Sequence, residues 1–150
     1  MYLDRAIALL IYRGVRTPKE IAGILRLNED DVLVKLREME SKGLIKCGDS
    51  GFWIFKRFRC LLSDEGLKLA REAFKELERR AEELRRRLNE VNDERRQQEV
   101  INELIALDPI YLHLIPLMLW MNLLVLPLPL LTFMYGLDDA SMDGDVGELM

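Results

Sequence analysis

The sequence predicts a mainly α-helical protein that carries one small two-stranded ribbon. Three observations predict it. Apolar residues recur at helical spacing between Leu3 and Met39, interrupted by polar N-cap signals at Thr17 and Asn28. Two short runs of alternating residues then flank Gly48-Asp49-Ser50-Gly51, a turn-forming tetrapeptide. From Leu67 to Val91 one apolar stripe continues at alternating spacings of three and four.

The elements follow in order. A first helix covers Leu3 to Tyr12, with Ile7, Leu10 and Ile11 on one face and Gly14 ending it. Thr17 caps a second helix, with Pro18 at the first helical position and Glu20 three residues after the cap. Ile21, Ile24 and Leu25 form its apolar face. Asn28 caps a third helix, whose Glu29, Asp30 and Asp31 sit at the positive end of the helix dipole. Val32, Leu36 and Met39 form the stripe of that helix, and Gly43 closes it. Leu44 to Cys47 is a strand, and Phe52 to Phe58 is its return, with Phe52, Ile54, Lys56 and Phe58 alternating against Trp53, Phe55, Arg57 and Arg59.

Helix, turn, helix and ribbon in this order predict a winged helix-turn-helix head over residues 1–62. Met39-Glu40-Ser41-Lys42-Gly43-Leu44-Ile45 resembles the end of the recognition helix of MarR- and PadR-type regulators. Leu62-Ser63-Asp64-Glu65-Gly66 resembles the turn that follows the wing in the same families. The resemblance covers about residues 3–75. It implies DNA binding, with Asp30, Asp31, Leu33, Val34 and Arg37 facing the groove. The expected DNA-binding residues are Lys19, Arg26, Arg37, Lys56, Arg57 and Arg59, with Trp53 and Phe55 shaping the wing. Two carboxylates at the start of the third helix oppose that expectation, since they repel phosphate. Asp30, Asp31, Leu33 and Val34, read as exposed, suit a protein partner instead.

Ser63 caps a fourth helix. Its stripe of Leu67, Ala70, Phe74, Leu77, Ala81, Leu84, Leu88 and Val91 needs something to bury it, and Glu72-Glu76-Arg80, Glu82-Arg86 and Glu83-Arg87 lie on the outer faces. A helix over 63–91 is ~43 Å long, longer than the small head can cover. Residues 63–107 are therefore expected to form a coiled coil that makes a homodimer, parallel or antiparallel, through Leu67, Phe74, Leu77, Leu84, Leu88 and Val91. Asn92 to Gln98 lacks apolar residues and reads as a hinge.

Residues 108–137 form a hydrophobic segment with no charge from Pro109 to Leu137. The run is long enough for a membrane-spanning helix, with Tyr111 and Tyr135 near its ends. Basic residues lie only upstream, which would hold the head at the cytoplasmic face. Pro116, Pro127 and Pro129 favour the alternative, short helices in an oligomer core. His113 and Asn122 are expected to hydrogen-bond across helices. Residues 138–150 read as an acidic tail.

Charge divides the same way. Residues 1–62 carry 12 Lys/Arg against 8 Asp/Glu, residues 63–109 carry 10 against 13, and residues 110–150 carry none against 5. A basic head, a balanced rod and an acidic end point to separate tasks. With the turn at 48–51, Cys47 would face Phe52, far from Cys60, so both thiols are expected to be reduced. Two Cys and one His do not make a zinc set, and no cofactor is expected. With one histidine and no phosphate loop, the chain reads as no enzyme. The function expected is a dimeric winged-helix DNA-binding transcriptional regulator, cytoplasmic, with a membrane tether through 109–137 as one use of its C-terminal run. The alternative is a winged-helix interaction scaffold that does not bind DNA.

Overall fold

A computed structural model describes residues 1–50 and 57–132 of the 150. Its elements are α1 (Leu3–Tyr12), α2 (Pro18–Leu25), α3 (Glu29–Ser41), β1 (Ile45–Ser50), β2 (Arg57–Leu62), α4 (Asp64–Asn89), α5 (Glu94–Leu107) and α6 (Tyr111–Trp120). The two strands pair antiparallel.

The caps act where the sequence places them. Glu20 N–H donates to Thr17 Oγ1 (3.3 Å), and Asp30 N–H to Asn28 Oδ1 (2.8 Å). Gly14 and Gly43 end α1 and α3 with φ of 96° and 75°. Ser63 does more than cap α4. It accepts from Gly66 N–H (3.1 Å), and its hydroxyl lies 2.6 Å from Gly43 O and 2.9 Å from Leu44 O. One side chain thus joins the end of α3, the start of β1 and the start of α4.

The ribbon departs from the expected register. β1 continues through Gly48 to Ser50, and β2 begins only at Arg57, so Cys47 pairs with Cys60. The Cα atoms of this pair are 4.0 Å apart, and the two sulfurs are bonded in a disulfide. This corrects the expectation of two reduced thiols. Both N–H groups of the pair point away from the partner strand: Cys47 N–H donates to Glu40 of α3 (2.8 Å), and Cys60 N–H to Arg16 O (3.1 Å). It is a narrow, non-hydrogen-bonded pair, the antiparallel position at which opposing side chains come closest. Phe52, Trp53, Ile54, Phe55 and Lys56, expected on the return strand, lie outside the described residues.

The stripe of α4 is covered within the chain. Ala70, Ala73, Leu77, Ala81, Leu84 and Leu88 are buried, while Leu67, Phe74 and Val91 are half-buried. α1 lies along α4, and the chain then reverses to bring α5 and α6 against it. Gln97 on α5 makes the reversal tight: its Nε2 donates to Leu88 O (2.9 Å) and Val91 O (3.2 Å), closing the end of α4. The expected hinge is therefore a short turn, after which Asp93 caps α5 through Arg95 N–H (3.0 Å). Arg80 does not pair with Glu76. It reaches Asp108 beyond α5 (3.5 Å) and lies over the Tyr111 ring at 5.3 Å. Burial lowers the basicity of Arg80, but Tyr111, Glu76 and Asp108 outweigh it and hold its pKa above the usual guanidinium value.

The hydrophobic run, as far as residue 132, is neither one long helix nor unpartnered. No helix among the described residues is long and apolar enough to cross a membrane. α6 ends at Trp120, Asn122 takes the left-handed conformation (φ 61°) that terminates it, and a new helical turn opens after Pro127. Asn122 is exposed and marks a helix end, not the expected contact across helices. α6 is apolar on every side because it packs on both α2 and α4. Tyr111, Leu114, Ile115, Leu117 and Met118 are buried there. His113 does bridge elements: its Nδ1 lies 2.8 Å from Leu25 O, at the end of α2.

Candidate nucleic-acid interface

α2, the turn at Arg26-Leu27 and α3 form a helix-turn-helix whose inner face is wholly apolar. Val32, Leu36 and Met39 of α3 are buried where it packs on α1 and β1, and Ile21 and Leu25 of α2 where it packs on α3 and α6. The turn is closed by Leu27 N–H on Ala22 O (2.9 Å), with Arg26 in the left-handed region (φ 60°). The outer face of α3 is left to solvent. Glu29, Asp30, Asp31 and Arg37 are exposed, and Val34 is 56% exposed. Leu33, expected to be exposed, is half-buried.

The ribbon has two distinct faces. Ile45 and Cys60 point into the core; Lys46, Gly48, Arg59 and Leu61 point out. Gly48 faces Arg59 across the ladder and leaves room beside it. Arg16, from the loop before α2, completes the wall, because its carbonyl accepts from Cys60 and anchors that loop to the edge of β2. The result is an open hollow of about 430 Å³ lined by Arg16, Lys46, Cys47, Gly48, Asp49, Arg59 and Leu61. Three cations and one carboxylate converge on it. Such a surface attracts polyanions by charge alone.

Of the residues expected to meet DNA, Lys19, Arg37 and Arg59 are exposed on α2, α3 and β2. Arg57 pairs in register with Ser50. Arg26 is exposed, but it borders a different hollow, with Gly23, Ile24, Pro116, Leu119, Trp120 and Leu131. Lys56 and Trp53 lie outside the described residues. The sequence reading missed Arg16 and Lys46. The alternation Lys46-Cys47-Gly48 would have placed Lys46 outward, had the strand been extended past Cys47. Arg16 carried no signal, since only the backbone bond to Cys60 brings it to the ribbon.

No family model matches the chain, and no curated protein does. Solved structures that resemble it include two mutant forms of Lactococcus lactis ZitR, one of them in apo form. Each superposes with a TM-score of 0.54; the identities are 21% and 22%. The alignments cover 69% of this chain and 68% and 76% of the two ZitR chains. The head is a winged helix. At that identity the likeness speaks for fold, and the functional reading rests on the surface described above.

Proposed function

We propose that this protein is a winged-helix DNA-binding transcriptional regulator. The observation that carries the reading is the convergence of Arg16, Lys46 and Arg59 on the outward face of the ribbon, alongside a helix-turn-helix whose Lys19 and Arg37 are exposed. Cations gathered on one surface suit phosphates, and phosphate contacts set register on the duplex. Asp30 and Asp31 then select against close approach of phosphate at the start of α3, leaving base contact to a carboxylate acceptor or to Val34. Lys56, Arg57 and Trp53 are further DNA contacts in this reading, and Arg26 contacts phosphate from the turn.

The reading is tested with Lys46→Ala combined with Arg59→Ala. Fluorescence anisotropy on mixed genomic duplex should show weaker binding by the variant at every sequence. Its salt dependence should be shallower by about two in slope. A double variant that binds and responds to salt as the parent does would remove the ribbon from the interface.

The regulator acts as a homodimer in this proposal, because helix-turn-helix proteins read paired half-sites. Leu77, Leu84 and Leu88 are already covered, so the pairing surface is placed on Leu107, Leu112, Val125 and Leu128, with Leu67, Phe74 and Val91 contributing where they remain reachable. A second reading, a docking module without DNA, draws on one observation: Val34 stands exposed beside Asp30 and Asp31. Absence of duplex binding even in dilute salt would favour it.

A further inference from the structure

The cation cluster and the disulfide are built from the same few residues. Lys46 precedes Cys47, Arg59 precedes Cys60, and Arg16 is bonded through its carbonyl to Cys60 N–H. Cys47 itself lines the hollow. Each cation is therefore one covalent or hydrogen-bonded step from a half-cystine. Cys60 is wholly buried, whereas Cys47 is half-buried and held to α3 by Glu40. The ladder bonds at this pair point away from the partner strand, so the sulfur bridge is what joins β1 to β2 at this level.

We propose that the Cys47–Cys60 bond is a thiol-responsive clamp that holds Arg16, Lys46 and Arg59 together around one hollow on the ribbon. The inference rests on the reading that the ribbon meets DNA, and it adds the condition under which it does so. The reductant is a small thiol of the glutathione class. Its thiolate attacks Cys47 Sγ, the reachable sulfur. The Cys47–Cys60 bond breaks, and Cys60 leaves as a thiolate that takes up a proton. A second thiolate attacks the small-molecule sulfur of the mixed disulfide, releasing Cys47, which is protonated in turn, and one molecule of the oxidised small thiol. Two small thiols are oxidised and one protein disulfide becomes two protein thiols, so atoms and electrons balance. With the bridge open, β1 and β2 are joined here only by the ladder bonds of the flanking pairs Lys46–Leu61 and Gly48–Arg59, and the three charges no longer share one fixed geometry.

The test uses the full chain, oxidised with glutathione disulfide or reduced with dithiothreitol, with the state checked by iodoacetamide mass shift. The oxidised chain should bind a short fluorescent duplex several-fold more tightly, with a steeper salt dependence, and reduction should remove both. Cys47→Ala with Cys60→Ala should bind like the reduced chain and ignore dithiothreitol. Equal binding by the two verified states overturns the clamp and leaves the DNA reading standing. If neither state binds duplex, the DNA reading fails, and amide exchange over 45–50 and 57–62 decides the clamp. Faster exchange on reduction upholds it and unchanged exchange overturns it. Free thiols that persist after glutathione disulfide treatment overturn it as well.

Discussion

Two glycines separate two kinds of constraint. Gly43 needs its left-handed backbone, but a Cβ added there would meet open space. Gly66 has an ordinary helical backbone, yet a Cβ on it would run into the carbonyl oxygen of Leu44, which cannot swing aside. Gly43→Ala should therefore cost about 1 kcal/mol, the conformational penalty alone. Gly66→Ala should cost about 3 kcal/mol, as overpacking against backbone does. Thermal melting should rank them, with the Gly66 variant losing roughly 9 °C and the Gly43 variant roughly 3 °C. Equal losses would show that α4 can slide away from β1. Ser63→Ala removes the cap and the stitch to Gly43 and Leu44 together, and should fall between them at about 2 kcal/mol. The glycine in Leu62-Ser63-Asp64-Glu65-Gly66 was visible as a motif; its reason, a helix start pressed on a carbonyl, is visible only in three dimensions.

At the level of elements, α6 is a strut behind the helix-turn-helix. His113 Nδ1–H donates to Leu25 O at the end of α2, and Leu114, Leu117 and Met118 of the same helix are buried. His113→Phe keeps the ring and deletes the donor. It should cost about 1–2 kcal/mol, because Leu25 O loses its partner near the core. Urea denaturation would measure this, and an unchanged midpoint would mean that solvent replaces the imidazole. The sequence predicted α1 with both its bounds, α2 and α3 with their caps, and α4 to within two residues at its C-terminal end. Those elements are set by local chemistry: a cap, a proline at the first position, a glycine at the end. The ribbon register was not legible. Gly48-Asp49-Ser50-Gly51 satisfies the composition of a turn, and nothing local says that the strand runs on through Ser50. The true register is held by Glu40, Arg16 and Cys60, none of which lies within the turn or β1 itself.

For the whole molecule, the decisive feature is the return of the chain over α4. The C-terminal run supplies buried Tyr111, Leu114, Ile115, Leu117, Met118, Leu124, Leu126 and Leu130. Ending the chain after Asp108 should therefore leave α2 and α4 uncovered and remove cooperative unfolding, with apolar surface that binds a hydrophobic dye and promotes precipitation. A truncated chain that melts as sharply as the full one would show that the head has a core of its own. The pairing surface proposed for the dimer makes a separate prediction. Leu112→Glu with Val125→Glu should yield a monomer by light scattering without loss of helix content, since both side chains are exposed. Leu77→Ala, by contrast, should lower stability by about 2–5 kcal/mol, because it opens a cavity inside one chain.

Sequence alone determined where α1 to α4 begin and end, which face of each is apolar, and that the head is a winged helix, because these depend on neighbours within a few positions; the start of α5 and the end of α6 did not follow from it. Tertiary structure decided what the apolar faces meet. The same leucine stripe would serve a second copy or the chain's own C-terminus, and the same uncharged run would suit a bilayer or a protein core. Periodicity specifies that a surface must be buried and is silent on the partner. That choice was made by the turn at Val91, where Gln97 closes α4 and sends the chain back along it.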